Sequence, residues 1–135
     1  MTRLLLNIDV PDLDRATAFY CQALGLTLSR HLFGHQVAEL SGAGIAIYLL
    51  HKPSGSMAAG AQQRDYARHW TPLHFDLVVH ALEPAIQRAL AAGALAESDV
   101  DTAGWGRSAR FADPFGHGFC LIEFSAEGYA SVASP

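Results

Sequence analysis

Apolar and polar positions along this chain spell out the same order of elements twice. Residues 3–10 alternate loosely and predict a strand, which Pro11 stops. Asp12 is a good helix N-cap. Leu13, Ala16, Tyr20, Ala23 and Leu24 then share one face at helical spacing, with Asp14, Arg15, Ala18 and Gln22 opposite. Gly25 is a natural residue to end that helix. Strands are predicted over 26–32, 36–41 and 45–51, parted by Gly34 and by Gly42-Ala43-Gly44. The second half opens with a strand over 74–80. A helix follows with Pro84 in its first turn and a stripe of Leu82, Ala85, Ile86, Ala89 and Leu90, and Gly93 ends it. A weaker strand over 94–101 precedes two clear ones, 107–112 and 119–124, and the tail after Ser125 is expected to fray.

The two halves superpose as patterns with few identities. Asn7 on Asp76 puts Leu13 on Leu82. Gly42-Ala43-Gly44 on Gly116-His117-Gly118 puts residues 45–48 on 119–122. The chain therefore divides into a first module over 1–51, a segment over 52–71, a second module over 72–125 and a tail over 126–135, within one domain overall. Segment 52–71 is rich in Gly, Ala, Ser and Gln and lacks period-2 alternation. It reads as a linker, with a short helix around 58–68 as one option. Trp70 near its end keeps open a lid over a ligand.

Composition narrows the function classes. Half of the 135 residues are apolar and 16% are charged, which suits a packed core and argues against disorder. A formal net charge of −4 supplies no basic stripe, so no nucleic-acid partner is expected. No apolar run approaches a membrane span, so no membrane partner is expected either. Cys21 and Cys120 sit in apolar segments without metal-type spacing. They read as reduced, buried small hydrophobes of a cytoplasmic protein.

Residues 111–124 hold the most distinctive stretch. Asp113-Pro114-Phe115-Gly116 has the chemistry of a tight turn, and the apolar runs beside it describe a hairpin. Gly106, Phe111, Asp113, Pro114 and Gly116, in the spacing Gly-x4-Phe-x-Asp-Pro-x-Gly, resemble the last hairpin of the vicinal oxygen chelate superfamily. That superfamily holds glyoxalase I, bleomycin-resistance proteins, fosfomycin-resistance enzymes and extradiol dioxygenases. Asp12, Leu13, Arg15, Ala16, Phe19, Tyr20, Leu24, Gly25 and Leu26 are similar to its first helix, and the resemblance covers about residues 3–125. It implies an α+β fold of tandem βαβββ modules, whose mixed sheets form a concave cleft with the helices outside. It also implies a small-molecule ligand and a homodimer.

The resemblance places a metal quartet at Leu5, Ala46, His74 and Cys120. Leu and Ala carry no donor, and one His with one Cys meets the needs of neither catalytic zinc nor non-haem iron. No cofactor is therefore expected. A divalent metal would need other ligands, such as Glu39, His51 or Glu123. Glu123 lies at an odd offset from Cys120, which sends it to the opposite sheet face unless a bulge intervenes. His74 is the chelate-type residue left, and Asp76 faces the same way. The pair can orient an imidazole for acid–base work, or be ordinary strand residues. His117 and His51 fall near strand ends, as rim residues. Phe33, Tyr48, Trp70 and Trp105 could line an aromatic pocket, or pack in the core. Arg107 and Arg110 could meet an acidic ligand, or keep an edge strand soluble.

Three functions follow. The leading one is a glyoxalase- or bleomycin-resistance-like protein that binds a small organic molecule without the usual metal, by sequestration or with modest catalysis by His74. The second is a metal-dependent lyase, isomerase or dioxygenase of the same superfamily. The third is a regulatory or scaffold domain without a small ligand.

Overall fold

Asp12 and Gly25 bracket the first helix as the sequence requires. In the computed structural model, which describes residues 1–135, helix α1 spans Leu13–Leu24. The Asp12 carboxylate accepts the Arg15 backbone N–H at 3.1 Å, and Gly25 takes the left-handed conformation at φ 68°. Its buried face is Leu13, Ala16, Phe19, Tyr20 and Ala23. Phe19 thus joins the stripe read from the sequence, and Leu24 stays half-buried at its edge.

The chain divides into two units, Met1–Ala67 and Arg68–Pro135. In the first, α1 covers a four-stranded sheet of β1 (Leu5–Val10), β2 (Thr27–Leu32), β3 (Val37–Ser41) and β4 (Ala46–His51), in the order β1-β4-β3-β2. β1 runs parallel to β4 and the other pairs are antiparallel. Period-2 alternation sorts the side chains. Ile8, Val10, Ala38, Leu40, Ile47 and Leu49 are buried in the core that α1 closes. Leu5, Asn7, Glu39, Ala46 and Tyr48 share the other face, through the register pairs Leu5↔Ala46, Asn7↔Tyr48 and Glu39↔Tyr48.

Segment 52–67 forms no helix. Arg64 and Ser56 pair across a small loop with an isolated bridge at Met57↔Gln63. The Arg64 guanidinium binds Asp9 at 2.7 Å, and the Tyr66 hydroxyl donates to the Lys52 carbonyl at 2.7 Å. Small and polar residues without a stripe give a helix nothing to bury. Side-chain bonds to the β1 and β4 ends hold the loop instead.

The second unit repeats the plan. β5 (Phe75–Val78), α2 (Leu82–Ala91), β6 (Leu95–Ala96), β7 (Asp101–Ala103), β8 (Gly106–Ala112) and β9 (Gly118–Phe124) form a sheet in the order β5-β9-β8-β6, with β7 also on β8. The strand expected over 94–101 is two short ones, since residues 98–100 leave the ladder. The tail makes a 3-10 turn over Gly128–Val132 rather than fraying. Tyr129 stacks edge-on to Phe124 and lies 5.3 Å from the Trp105 ring.

Two devices pin the β8–β9 hairpin. At its turn, buried Asp113 accepts the backbone N–H groups of Phe115 and His117 at 2.8 and 2.9 Å, and its second oxygen meets His117 Nδ1 at 2.7 Å. His117, expected as an exposed rim residue, is thus half-buried in the turn. At the far end, Gly106 has φ 152°. A Cβ there would collide with the Glu123 carbonyl oxygen and lie 3.0 Å from Phe124 Cα.

The ladder runs without a shift from Gly106↔Phe124 to Ala112↔Gly118. Glu123 therefore falls on the α2 side, as its odd offset from Cys120 requires. Ala81 precedes α2 and cannot cap it. The Glu123 carboxylate supplies the cap from the sheet, accepting the Leu82 N–H at 2.8 Å. Arg107, paired with Glu123 in register, bridges Glu123 and Glu83. Arg107 and Glu123 thus serve the helix–sheet junction. Neither lies on the face where a ligand or metal role was expected.

Two outcomes follow. Gly106→Ala should lower unfolding free energy in urea by about 2 kcal/mol or more, because left-handed strain is of order 1–3 kcal/mol and a backbone clash adds to it. Glu83, bound by Arg107, has its carboxyl held at about 2 against an ordinary 4.5. Its contribution is complete above the unfolded value and is lost as pH falls from 4.5 toward 2. Urea midpoints measured across that window should fall less steeply for Glu83→Gln than for the parent chain.

Candidate functional site

Each unit keeps one sheet face free of its helix, and polar chemistry gathers there. In the first unit a cavity of about 670 Å³ opens over that face. Leu5, Ile45 and Ala46 give it apolar walls. Its polar floor is one chain of bonds. Tyr48 O–H donates to Glu39 at 2.9 Å, and Arg30 grips the same carboxylate through Nε at 3.0 Å and Nη2 at 3.2 Å. The Arg30 bonds, then the Tyr48 bond, hold the Glu39 carboxyl below its usual range. Glu39 in turn raises the Tyr48 phenol. Tyr48 stays a neutral hydroxyl whose proton is committed to Glu39, leaving its oxygen able to accept from a ligand.

Phe33 is not part of this wall. It sits at the β2–β3 turn, 80% exposed, with φ 54° and left-handed Gly34 and His35 after it. His51 is at the rim, its Nδ1 3.1 Å from the Gln36 side-chain oxygen.

In the second unit the free face carries His74, Asp76 and Cys120. The donor atoms of all three lie within 4.8 Å of one another. His74 Nε2 is 3.5 Å from Asp76 Oδ1. Strand register explains the grouping. Leu5 faces Ala46 in the first sheet, whereas Cys120, the equivalent of Ala46, faces Asp76. His74 lies two residues earlier, and a two-residue step keeps the same side. The sequence singled out His74 and Asp76 as an acid–base pair, and the resemblance set His74 with Cys120. The parallel β5–β9 register places Asp76 beside the thiol.

Burial above all, then the Asp76 carboxylate beside it, pushes the Cys120 thiol up to about 11. It is a poor nucleophile at neutral pH. Both cysteines are free thiols.

The surroundings are charged. Arg110, opposite Cys120 on β8, lies on this face. Arg68 binds Glu97 through Nε at 2.7 Å and Nη2 at 2.8 Å, and donates to the carbonyls of His69 and Gly116. That grip anchors the stretch leading to Trp70, whose ring is 5.9 Å from that of His74. Trp105 instead packs against Phe124 and Tyr129. Arg30, Arg68 and Glu97 are charges the sequence pattern does not single out. Pairing Arg30 with Glu39 requires the β2–β3 turn length and the bulge after Leu28.

The quartet that the resemblance implies is half absent, since Leu5 and Ala46 offer no donor. His74 and Cys120 remain, and Asp76 completes a nitrogen, oxygen and sulfur set. Three such ligands with an open position suit a divalent metal, and on donor chemistry the residues fit one. Glu39 is committed to Arg30 and Tyr48, and Glu123 to Leu82 and Arg107.

Comparison with known proteins is consistent with this architecture. Among curated protein sequences, none matches the chain. Solved structures do. The fosfomycin resistance protein FosX from Listeria monocytogenes superposes with a TM-score of 0.71 at 21% identity, over 94% of this chain and 96% of that one. TioX from Micromonospora sp. ML1 gives 0.70 at 16%, over 93% and 100%. A mutant of FosX complexed with Mn(II) and 1S,2S-dihydroxypropylphosphonic acid gives 0.66 at 22%, over 94% of each. These likenesses fix the fold. The family model described as "Glyoxalase-like domain" matches residues 6–122. That span runs from β1 to β9 and takes in both repeats, and the chain belongs to this glyoxalase-like family of the vicinal oxygen chelate superfamily.

Proposed function

We propose that this glyoxalase-like domain binds a small organic molecule over the free sheet face of its first unit. The observation that carries the reading is the cavity of about 670 Å³, lined in part by apolar Leu5, Ile45 and Ala46 and in part by polar residues, with the bonded set Tyr48–Glu39–Arg30 at its floor. A volume in the range of roughly 300–1,000 Å³ with a few fixed polar groups suits a drug-sized ligand. Arg3 and Arg30 line the cavity with Glu39, so its charged side chains sum to +1 and favour a monoanion. FosX, a fosfomycin resistance protein, makes phosphonates a rational first class to try. An open cavity is also what a scaffold domain, with its face filled by its own side chains, would lack.

A second reading, a metal-dependent lyase, isomerase or dioxygenase, is favoured by one observation, the clustering of His74, Asp76 and Cys120. In that reading His74 or Asp76 would hold the metal or move a proton at the substrate.

The test is a calorimetric titration with fosfomycin, bleomycin and a set of small aromatic and aliphatic acids. At least one should bind saturably. Tyr48→Phe and Arg30→Ala should each weaken it roughly tenfold or more, since a bond to a charged group contributes about 1.5–3 kcal/mol. Binding that is indifferent to both substitutions, or absent for every class, would overturn the proposal.

A further inference from the structure

We propose that the β3–β4 loop of the first unit, together with Arg3, is a cradle for a tetrahedral oxyanion. The ligand class is then an organic molecule with a phosphoryl or sulfonyl head, taken in preference to a carboxylate. The inference rests on the cavity reading above and deepens it by naming the head group and the residues that hold it.

The loop is Gly42-Ala43-Gly44-Ile45, between Ser41 at the end of β3 and Ala46 at the start of β4. The backbone N–H groups of all four residues donate to no other group of the protein. Successive backbone N–H groups in a turn make an anion-binding concavity when nothing else claims them. Gly42 and Gly44 line the cavity, and their φ angles of 115° and 81° lie where side chains are rarely tolerated. A Cβ at Gly44 would meet nothing within 4 Å, so a ligand reaches that backbone without displacing a side chain. Ser41 lies two residues from Glu39 on β3, which puts both side chains on the free face. Its hydroxyl and that of Ser29 also line the cavity, and neither is used in the protein.

Charge falls on the same side of the argument. Two bonds from Arg30 to Glu39 neutralise that pair. Arg3 lines the cavity without a carboxylate partner, so the excess positive charge resides on it. Glu39 above all raises the Tyr48 phenol, and Arg3 acts on it in the opposite sense, which sets Arg3 within electrostatic reach of the floor. A carboxylate offers two oxygens to this collection of N–H, O–H and guanidinium donors, whereas a phosphoryl or sulfonyl head offers three. The Tyr48 oxygen, its proton committed to Glu39, accepts a donor from elsewhere on the molecule. The ligand therefore pairs an oxyanion head with an O–H or N–H group.

Amide NMR on the full chain tests the cradle. Isotope-labelled protein is titrated at constant ionic strength with three matched probes, 2-hydroxyethylphosphonate, 2-hydroxyethanesulfonate and 3-hydroxypropionate. The amides of Gly42, Ala43 and Gly44 should shift saturably with the phosphonate, the sulfonate or both, with an affinity roughly fivefold or more above that for the carboxylate. Arg3→Gln and Ser41→Ala should each weaken the better probe by roughly threefold or more, in proteins whose other amides stay in place. Loop amides that do not move, equal affinity for the carboxylate, or affinity indifferent to both substitutions would overturn the cradle. The cavity reading is separable. A ligand found by calorimetry that depends on Tyr48 and Arg30 yet leaves the loop amides unmoved would defeat the cradle alone. Loop shifts whose midpoint ignores Tyr48→Phe and Arg30→Ala would support the cradle and count against the floor.

Discussion

The register of β5, β9 and β8 is the constraint on which the second unit depends. Side chains alternate along each strand, so one pairing fixes every neighbour's face. Glu123 and Arg107 go to the α2 side, where they cap the helix and tie it to the sheet. Cys120 and Arg110 go to the free side, with Asp76 beside the thiol. A slip of one residue would exchange the two sets and bury charge in the core. The hairpin is held against that slip at both ends. Asp113 ties the turn through three bonds, and Gly106 admits the backbone of Glu123 and Phe124 where a side chain would not fit.

The two units use one frame for different chemistry. In the first, Leu5 and Ala46 leave an apolar wall where the resemblance would put metal ligands, and Tyr48, Glu39 and Arg30 form a hydrogen-bonded floor. In the second, the corresponding face holds a nitrogen, an oxygen and a sulfur donor. Structural likeness to FosX and TioX, at 21% and 16% identity, fixes the architecture and leaves function to these side chains.

Much of the fold was legible in the sequence because its signals are local. Asp12 and Gly25 mark α1 by capping chemistry, and the stripe from Leu82 to Leu90 marks α2. Glu123's face followed from counting by two from Cys120. The resemblance set His74 with Cys120, but the pairing of Asp76 with Cys120 depends on the offset between distant strands, which alternation alone leaves free. The contacts of Trp105 and Arg107 were hidden for the same kind of reason. Trp105's partner Tyr129 lies in a tail with no periodic signal, and Arg107's partner Glu83 lies on a helix whose docking angle no local pattern records. The loop over 52–67 is held by Arg64 and Tyr66, single side chains whose targets are set by the folded sheet.

The central claim is that register separates a structural set of polar residues from a set on the free face of the same two strands. Urea denaturation of Arg107→Ala beside Arg110→Ala tests it most directly. The two residues lie three apart on β8 and point to opposite faces. The account predicts a clearly lower midpoint for Arg107→Ala, which loses the bridge between Glu83 and Glu123, and a midpoint near the parent's for Arg110→Ala. Equal midpoints, or the larger loss at Arg110, would contradict the assignment of faces and everything derived from it.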